Sequence, residues 1–419
     1  MATIVIGDIA LITLISYLLG ALARRCGQPA VIGQVLTGVA LGPSVLGRLP
    51  GHLTARLFPH AVLPSLSALA QVAVVIFVFA VGYELDLGAM RGRGRAVPLV
   101  AAAALAVPMG LGMAFALLYR PGFAALGQPP GRHSFVLFMG VAVSITAMPV
   151  LASIVRERGL AGTTAGATAV AVAGVMDVLA WLVLAAALIG TSQSGHLSWL
   201  VTLPLTGGFV AVMLLVVRPA VTWWTNRSRS LLSDPVPVAL ALALGSAWVT
   251  ATLGLQPIFG GFLAGLTMRA RTGVPDADVL SAMDRAATLL LPLFFIVTGL
   301  LLNIGDMHGD ALVLLALIFL IASVGKLGPA YAASRVAGLE PRQAATVAAL
   351  VNTRGLTELI ALNVGLQAGL VNRRLFTVLV LMALLTTLMT APLLSVIRPA
   401  RAALPAEAAI RADDDRAPA

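Results

Sequence analysis

One lysine, Lys326, and one cysteine, Cys26, occur among 419 residues. The single cysteine excludes an internal disulfide. Charged residues of every kind make up 11% of the chain against 59% hydrophobic, and mean hydropathy is +0.99. That balance excludes a soluble globular domain and points to a polytopic membrane protein in a lipid bilayer. The five histidines (His52, His60, His133, His196 and His308) are scattered and form no metal-binding spacing. No H-E-x-x-H and no aspartate pair at protease spacing occurs, so an enzyme is not expected. No G-x-G-x-x-G follows a strand, and ATP-driven transport finds no engine in the chain. No cofactor is expected. The first twenty residues lack a basic start and an A-x-A site, and are read as a retained first helix.

What is there is one apolar run after another. The hydropathy pattern predicts an all-α protein of about thirteen transmembrane helices, over 3–24, 29–47, 62–86, 96–119, 133–156, 162–190, 197–218, 235–253, 256–270, 284–303, 310–336, 343–366 and 373–397. Residues 1–397 form the transmembrane domain, and 398–419 are expected to be a short disordered cytoplasmic tail. The net charge of +10 then reads as topology and not as nucleic-acid binding. With the N-terminus outside, 19 arginines fall in inner loops and 6 in outer loops. The expected location is the inner (plasma) membrane, multi-pass, with the C-terminus cytoplasmic.

The two halves resemble each other. Gly33-x-x-Leu36-x-Gly38 after Gln28-Pro29 returns as Gly260-x-x-Leu263-x-Gly265 after Gln256-Pro257. Phe77-x4-Gly82-x3-Asp86 returns as Phe294-x4-Gly299-x3-Asn303. Both matches are seven helices apart, an odd offset, so helices 1–6 and 8–13 would be inverted repeats, as secondary transporters carry.

Ionisable residues inside a membrane are costly and mark function. Asp177 sits mid-helix with no charged neighbour in sequence, and a hard alkali cation prefers such oxygen ligands. Helix 5 contains Pro149, which should break it near Ser144 and Thr146 and free their hydroxyls and carbonyls. Helix 12 packs Asn352, Thr353, Arg354, Gly355 and Glu358 into an apolar run. Two interrupted helices at corresponding positions point to a binding site. Lys326 either pairs with Asp177 or neutralises the carbonyl ends of the broken helices. Glu84, near the end of helix 3, is a possible further member.

The stretches PAVIGQVLTGVALGPSVLG, VIFVFAVGYELDLGAM, GVAVSITAMPVLASIV, GVMDVLAWLVLA, GGFLAGLTM, LPLFFIVTGLLLNIG and VNTRGLTELIALNVGL resemble, in order, the monovalent cation/proton antiporters of the Kef and plant cation/H+ exchanger type. The resemblance implies a homodimer, each subunit with a dimerisation domain and a mobile core built on two crossed broken helices. It implies that Asp177 binds the cation (Na+ or K+) and the proton, and that Lys326 is the lysine of the core. Members of the family usually carry a polar or acidic residue before that aspartate. Here the position is Met176, which implies one titrating carboxylate and electroneutral exchange. A cytoplasmic nucleotide-sensing domain, common in the family, is not expected. Two other readings stand beside the antiporter. One is sodium-coupled symport of an organic anion held by Arg354. The other is a channel or sensor in which Met176 has impaired transport.

Overall fold

The computed structural model describes residues 2–48, 54, 57–59, 61–84, 95–128, 133–188, 199–227, 234–253, 255–268 and 276–397. Helices α1 (Ala2–Arg25), α2 (Ala30–Leu41), α3 (Leu63–Glu84), α4 (Ala96–Leu118), α5 (Arg120–Ala125), α6 (His133–Ser144), α7 (Met148–Glu157) and α8 (Thr164–Leu188) make up the first half. Then come α9 (Trp199–Val212), joined to α10 (Arg218–Arg227) through a widened turn, α11 (Val236–Thr252) and α12 (Pro257–Met268). The last are α13 (Ala277–Leu301), α14 (Asp310–Val336), α15 (Pro341–Val351), α16 (Leu356–Gln367) and α17 (Arg373–Ile397). Among the described residues ten segments are long and apolar enough to cross a membrane, and the apolar helices α11 and α12 are shorter. The tail 398–419, expected to be disordered, lies outside the described residues.

Several ends differ from the sequence expectation, each for a local reason. The second helix stops at Leu41 because Gly42, preceding Pro43, is extended at φ −82° and ψ −176°. The tenth begins at Ala277 and not at 284, because the Asp276 carboxylate accepts hydrogen bonds from the Asp278 and Val279 amides at 2.9 and 3.2 Å and caps it. The fifth and twelfth are each two helices, α6/α7 and α15/α16.

The helices pack as two bundles. One holds α1–α3 and α9–α13; the other holds α4–α8 and α14–α17. Within the first, bare glycine backbones set the spacing. A Cβ on Gly33 of α2 would strike the Leu19 carbonyl of α1, and one on Gly38 would strike Phe295 of α13. A Cβ on Gly260 of α12 would strike the Ser246 carbonyl of α11, and one on Gly265 would strike Phe79 of α3. In a bilayer, where apolar burial does not distinguish protein from lipid, such close backbone approach is a main source of helix association.

Side-chain hydrogen bonds across the bundle boundary are long. Asn363 donates to Thr298 Oγ1 at 3.5 Å, Gln28 to the Leu388 carbonyl at 3.4 Å, and Arg158 to the Gly27 carbonyl at 3.4 Å. The Asn303 amide also donates to Thr377 Oγ1 at 3.4 Å, and apolar contact runs through one continuous cluster that includes Phe79, Phe295, Trp181 and Leu379.

A side chain at Gly33 meets backbone that cannot turn aside. Gly33→Val is expected to lower stability by roughly 2–3 kcal/mol, read as a reduced thermal midpoint in detergent. Gly207→Val, at a position with nothing within 4 Å, is the control and should leave the midpoint nearly unchanged.

Candidate functional site

The break between α6 and α7 follows from what the chain removes. In a continuous helix the amides of 146–149 would bond the carbonyls of 142–145. Residue 149 is proline and has no N–H, so the Ile145 carbonyl would be orphaned in any case. The helix instead ends at Ser144 and restarts at Met148, with Pro149 in its first turn. Four carbonyls are thereby released inside the bundle.

All four are taken by two cations. Lys326 of α14 donates from Nζ to the Ser144 and Ile145 carbonyls at 2.6 and 2.7 Å. Arg354 donates from Nη1 to the Ala142 carbonyl at 2.8 Å and from Nη2 to the Val143 carbonyl. Both side chains are fully buried. Charge-assisted bonds to the negative end of a half-helix are the strong kind. Of the two roles the sequence left open for Lys326, the structure has the second. No ion pair joins it to Asp177 among the described residues; the one buried ion pair there is Arg354 Nη1 to Glu358 Oε1, 3.1 Å.

The released amides go elsewhere. The Ala147 amide donates to the Thr353 carbonyl at 3.1 Å, which ties one broken helix to the other. The Met148 amide points at Asp177 Oδ2, 3.4 Å away. Asp177, 1% exposed on α8, therefore faces the positive N-terminal end of α7. Its Oδ1 has no protein partner. Thr146 donates its hydroxyl to the Val351 carbonyl at 2.9 Å, and the Met176 thioether lies 3.7 Å from the same oxygen. Met176 thus packs into the crossing but contributes only a soft sulfur there.

The second break, between α15 and α16, spans Asn352–Gly355. A Cβ on Gly355 would lie 2.5 Å from Val150 Cγ2, so glycine lets the two crossings touch. Glu358 stands in the first turn of α16, where a carboxylate suits the helix dipole. The Asn352 side chain, Thr353 Oγ1 and Glu358 Oε2 are buried without protein partners. A small cavity on the bundle boundary is lined by Val31 and Ile32 of α2 on one side and by Val150, Arg354, Gly355 and Thr387 on the other.

Of the residues picked out from sequence, Asp177, Ser144, Thr146, Asn352, Thr353, Lys326, Arg354 and Glu358 come together at this crossing. Ser144 does so through its carbonyl, since its hydroxyl bonds back to Val141 at 3.1 Å. Glu84 does not join them: it lies at the exposed end of α3, in the other bundle. Thr387 of α17 was missed. Its hydroxyl donates to the Arg354 carbonyl at 2.6 Å and accepts from the Arg354 amide at 3.0 Å, which fixes the backbone of the break. The run Thr386-Thr387-x-x-Thr390 in an apolar helix was the available signal.

Lys326→Met removes the donors of two buried carbonyls and should lower stability by about 3 kcal/mol. Lys326→Gln retains an amide donor and should lose less. Thermal unfolding in detergent orders the three proteins, and equal midpoints for Met and Gln would contradict the capping role.

Residues 10–396 match the family model described as "Sodium/hydrogen exchanger, transmembrane". The chain is 36% identical over 406 residues to cation/H+ antiporter 20 of Arabidopsis thaliana, covering 94% of this chain and 48% of that one. It is 34% identical over 408 residues to the Na+/H+ antiporter NhaS4 of Synechocystis, covering 95% and 98%. The chain thus spans about half the length of the plant relative and nearly all of the cyanobacterial one. Its fold matches the sodium proton antiporter MjNhaP1 of Methanocaldococcus jannaschii, with a TM-score of 0.65 at 15% identity over 94% of this chain and 96% of the other. Matched along almost its whole length, this polytopic membrane protein belongs to the sodium/hydrogen exchanger family.

Proposed function

We propose that the protein exchanges a monovalent cation, Na+ or K+, for protons by alternating access, with Asp177 as the carboxylate that both compete for. The observation that carries this is the placement of Asp177. It is a buried carboxylate at the positive end of α7, with one oxygen unpartnered and no cation bonded to it. Among the described residues both buried basic side chains bond α6 and Glu358 and neither bonds Asp177, so a cation from outside would be the first one bonded to that carboxylate. Among the described residues the last carbonyls of α15 receive neutral donors, the Thr146 hydroxyl on Val351 and the Asn352 and Thr353 amides on Ala348 and Leu350. A cation between Asp177 and that end would be favoured by both, with Asn352, Thr353 and Thr146 as nearby oxygen donors.

Counting the two shorter apolar helices and the α15/α16 pair gives thirteen crossings. The glycine contacts support an inverted repeat: Gly33 on Leu19 and Gly260 on Ser246 are the same contact 227 residues apart. α2 packs on α13, and its counterpart α12 packs on α3, so the halves interlock. On this reading the α4–α8/α14–α17 bundle is the mobile core and the other bundle forms a homodimer. The arginine bias puts the C-terminus in the cytoplasm of a cell bounded by this membrane. Exchange is electroneutral, because one carboxylate accepts either one cation or one proton. Symport of an organic anion on Arg354 is disfavoured, since its Nη1 and Nη2 are already bonded to Ala142, Val143 and Glu358.

The test is a proteoliposome assay with a pH-reporting dye. An imposed pH gradient should collapse on addition of Na+ or K+, and Asp177→Asn should abolish that collapse. If no alkali cation collapses the gradient, the transport reading fails. Exchange that generates a current under voltage clamp on a supported membrane would refute one-for-one stoichiometry.

A further inference from the structure

One helical turn beyond Asp177, on the same face of α8, stands Trp181. It is 4% exposed. Its ring meets Phe259 of α12 edge-on, with centroids 6.1 Å apart and planes at 88°. α8 and α12 belong to different bundles, so this aromatic pair spans the boundary directly above the carboxylate. The indole Nε1 has no hydrogen-bond partner among the described residues, although a buried indole usually finds one. Packing alone holds the ring there.

The face of α8 is also asymmetric about Asp177. Toward the Leu188 end it continues with Trp181 and Leu184, both buried. Toward the Thr164 end it continues with Ala173, Gly174, Val170 and Gly166, all small to medium and, apart from the half-buried Val170, buried. By the arginine bias the Leu188 end faces outward. Large apolar groups therefore line the outer side of the site, and small ones line the inner side.

We propose that Trp181, seated on Phe259, is the outer gate of the transport site and determines coupling by separating Asp177 from the outer medium. The inference rests on the alternating-access reading. An apolar constriction bars ions by excluding water, and the ring contact lies between the two bodies whose relative motion would open it. Removing the ring should shift the balance toward an outward-open site.

The experiment uses the full chain with Cys26→Ser, which leaves no native thiol, and Val178→Cys beside the carboxylate. A membrane-impermeant maleimide is applied to oriented vesicles from either face. In this parent, outside labelling should be slow relative to inside labelling. Trp181→Ala should raise the outside rate about tenfold or more, and Trp181→Phe should stay near the parent. Phe259→Ala tests the same contact from the other bundle and stands in if Trp181→Ala does not fold. An outside rate unchanged in both alanine variants, with inside labelling retained, overturns the gate, as does a parent already labelled quickly from outside. Asp177-dependent exchange is measured in parallel on the wild-type protein. If exchange is absent while labelling responds as described, the transport reading fails and the gate stands.

Discussion

Four backbone carbonyls in the middle of a membrane protein have no water to turn to. Left unpaired, each would cost several kcal/mol. The protein brings two buried cations to them, Lys326 from α14 and Arg354 from the opposite break, and their four bonds to residues 142–145 account for the whole set. The rest of the site depends on this exchange. Because Lys326 and Arg354 hold the end of α6, the restart at Met148 can present its free amide to Asp177. Because Arg354 reaches across from the α15/α16 break, the two interrupted helices are fixed to each other, and the Ala147–Thr353 bond reinforces the crossing. The only lysine in the chain thus sits where a basic side chain is bonded on two sides in the interior.

That crossing is stiff where the bundle boundary is soft. The bonds that Lys326 and the Arg354 Nη1 make within it run from 2.6 to 3.1 Å, and all involve formal charge. Those across the boundary at Thr298, Gln28 and Arg158 are 3.4–3.5 Å. A neutral bond at that length contributes little, and apolar contacts slide more readily than ion pairs break. On the proposed alternating-access reading, rigid-body displacement of one bundle against the other would be the low-energy motion. Such motion would carry Asp177 past the first bundle while leaving its own surroundings intact. A binding site that keeps its geometry while its access changes is what an exchanger requires.

Much of this was legible in the sequence because the membrane makes exceptions conspicuous. Asp177, Lys326, Arg354 and Glu358 stood out simply by being ionisable in apolar runs, and Pro149 announced the break that releases the carbonyls. The paired Gly-x-x-Leu-x-Gly motifs carried the packing of α2 and α12, since only glycine permits those backbone contacts. The bonding partners were not legible. Whether Lys326 faces Asp177 or the α6 carbonyls depends on a displacement of a few ångströms between helices remote in sequence. Thr387 escaped notice because a threonine in a membrane helix commonly bonds its own backbone, as Thr386 does to Met382 and Ala383 here. Glu84 was only a possible member, since a carboxylate near a helix end can sit at the interface without joining the site. The early start of α13 was hidden because its first turns are polar, and only the Asp276 cap reveals them.

Met176 completes the account of charge. Counted by formal charge, Asp177 and Glu358 balance Lys326 and Arg354 before any substrate arrives. On the proposed exchange, one cation or one proton would then add the same single charge, and the loaded site would be alike in either form. A second acid at position 176 would upset that balance and call for a further positive charge. The thioether instead fills its place against Thr146 and makes no electrostatic demand. With Glu358 already paired to Arg354, the proposed exchange would leave a single carboxylate to alternate between its two ligands. The neutrality of the cluster and the one-for-one exchange proposed for it therefore have the same origin, the absence of an acid beside Asp177.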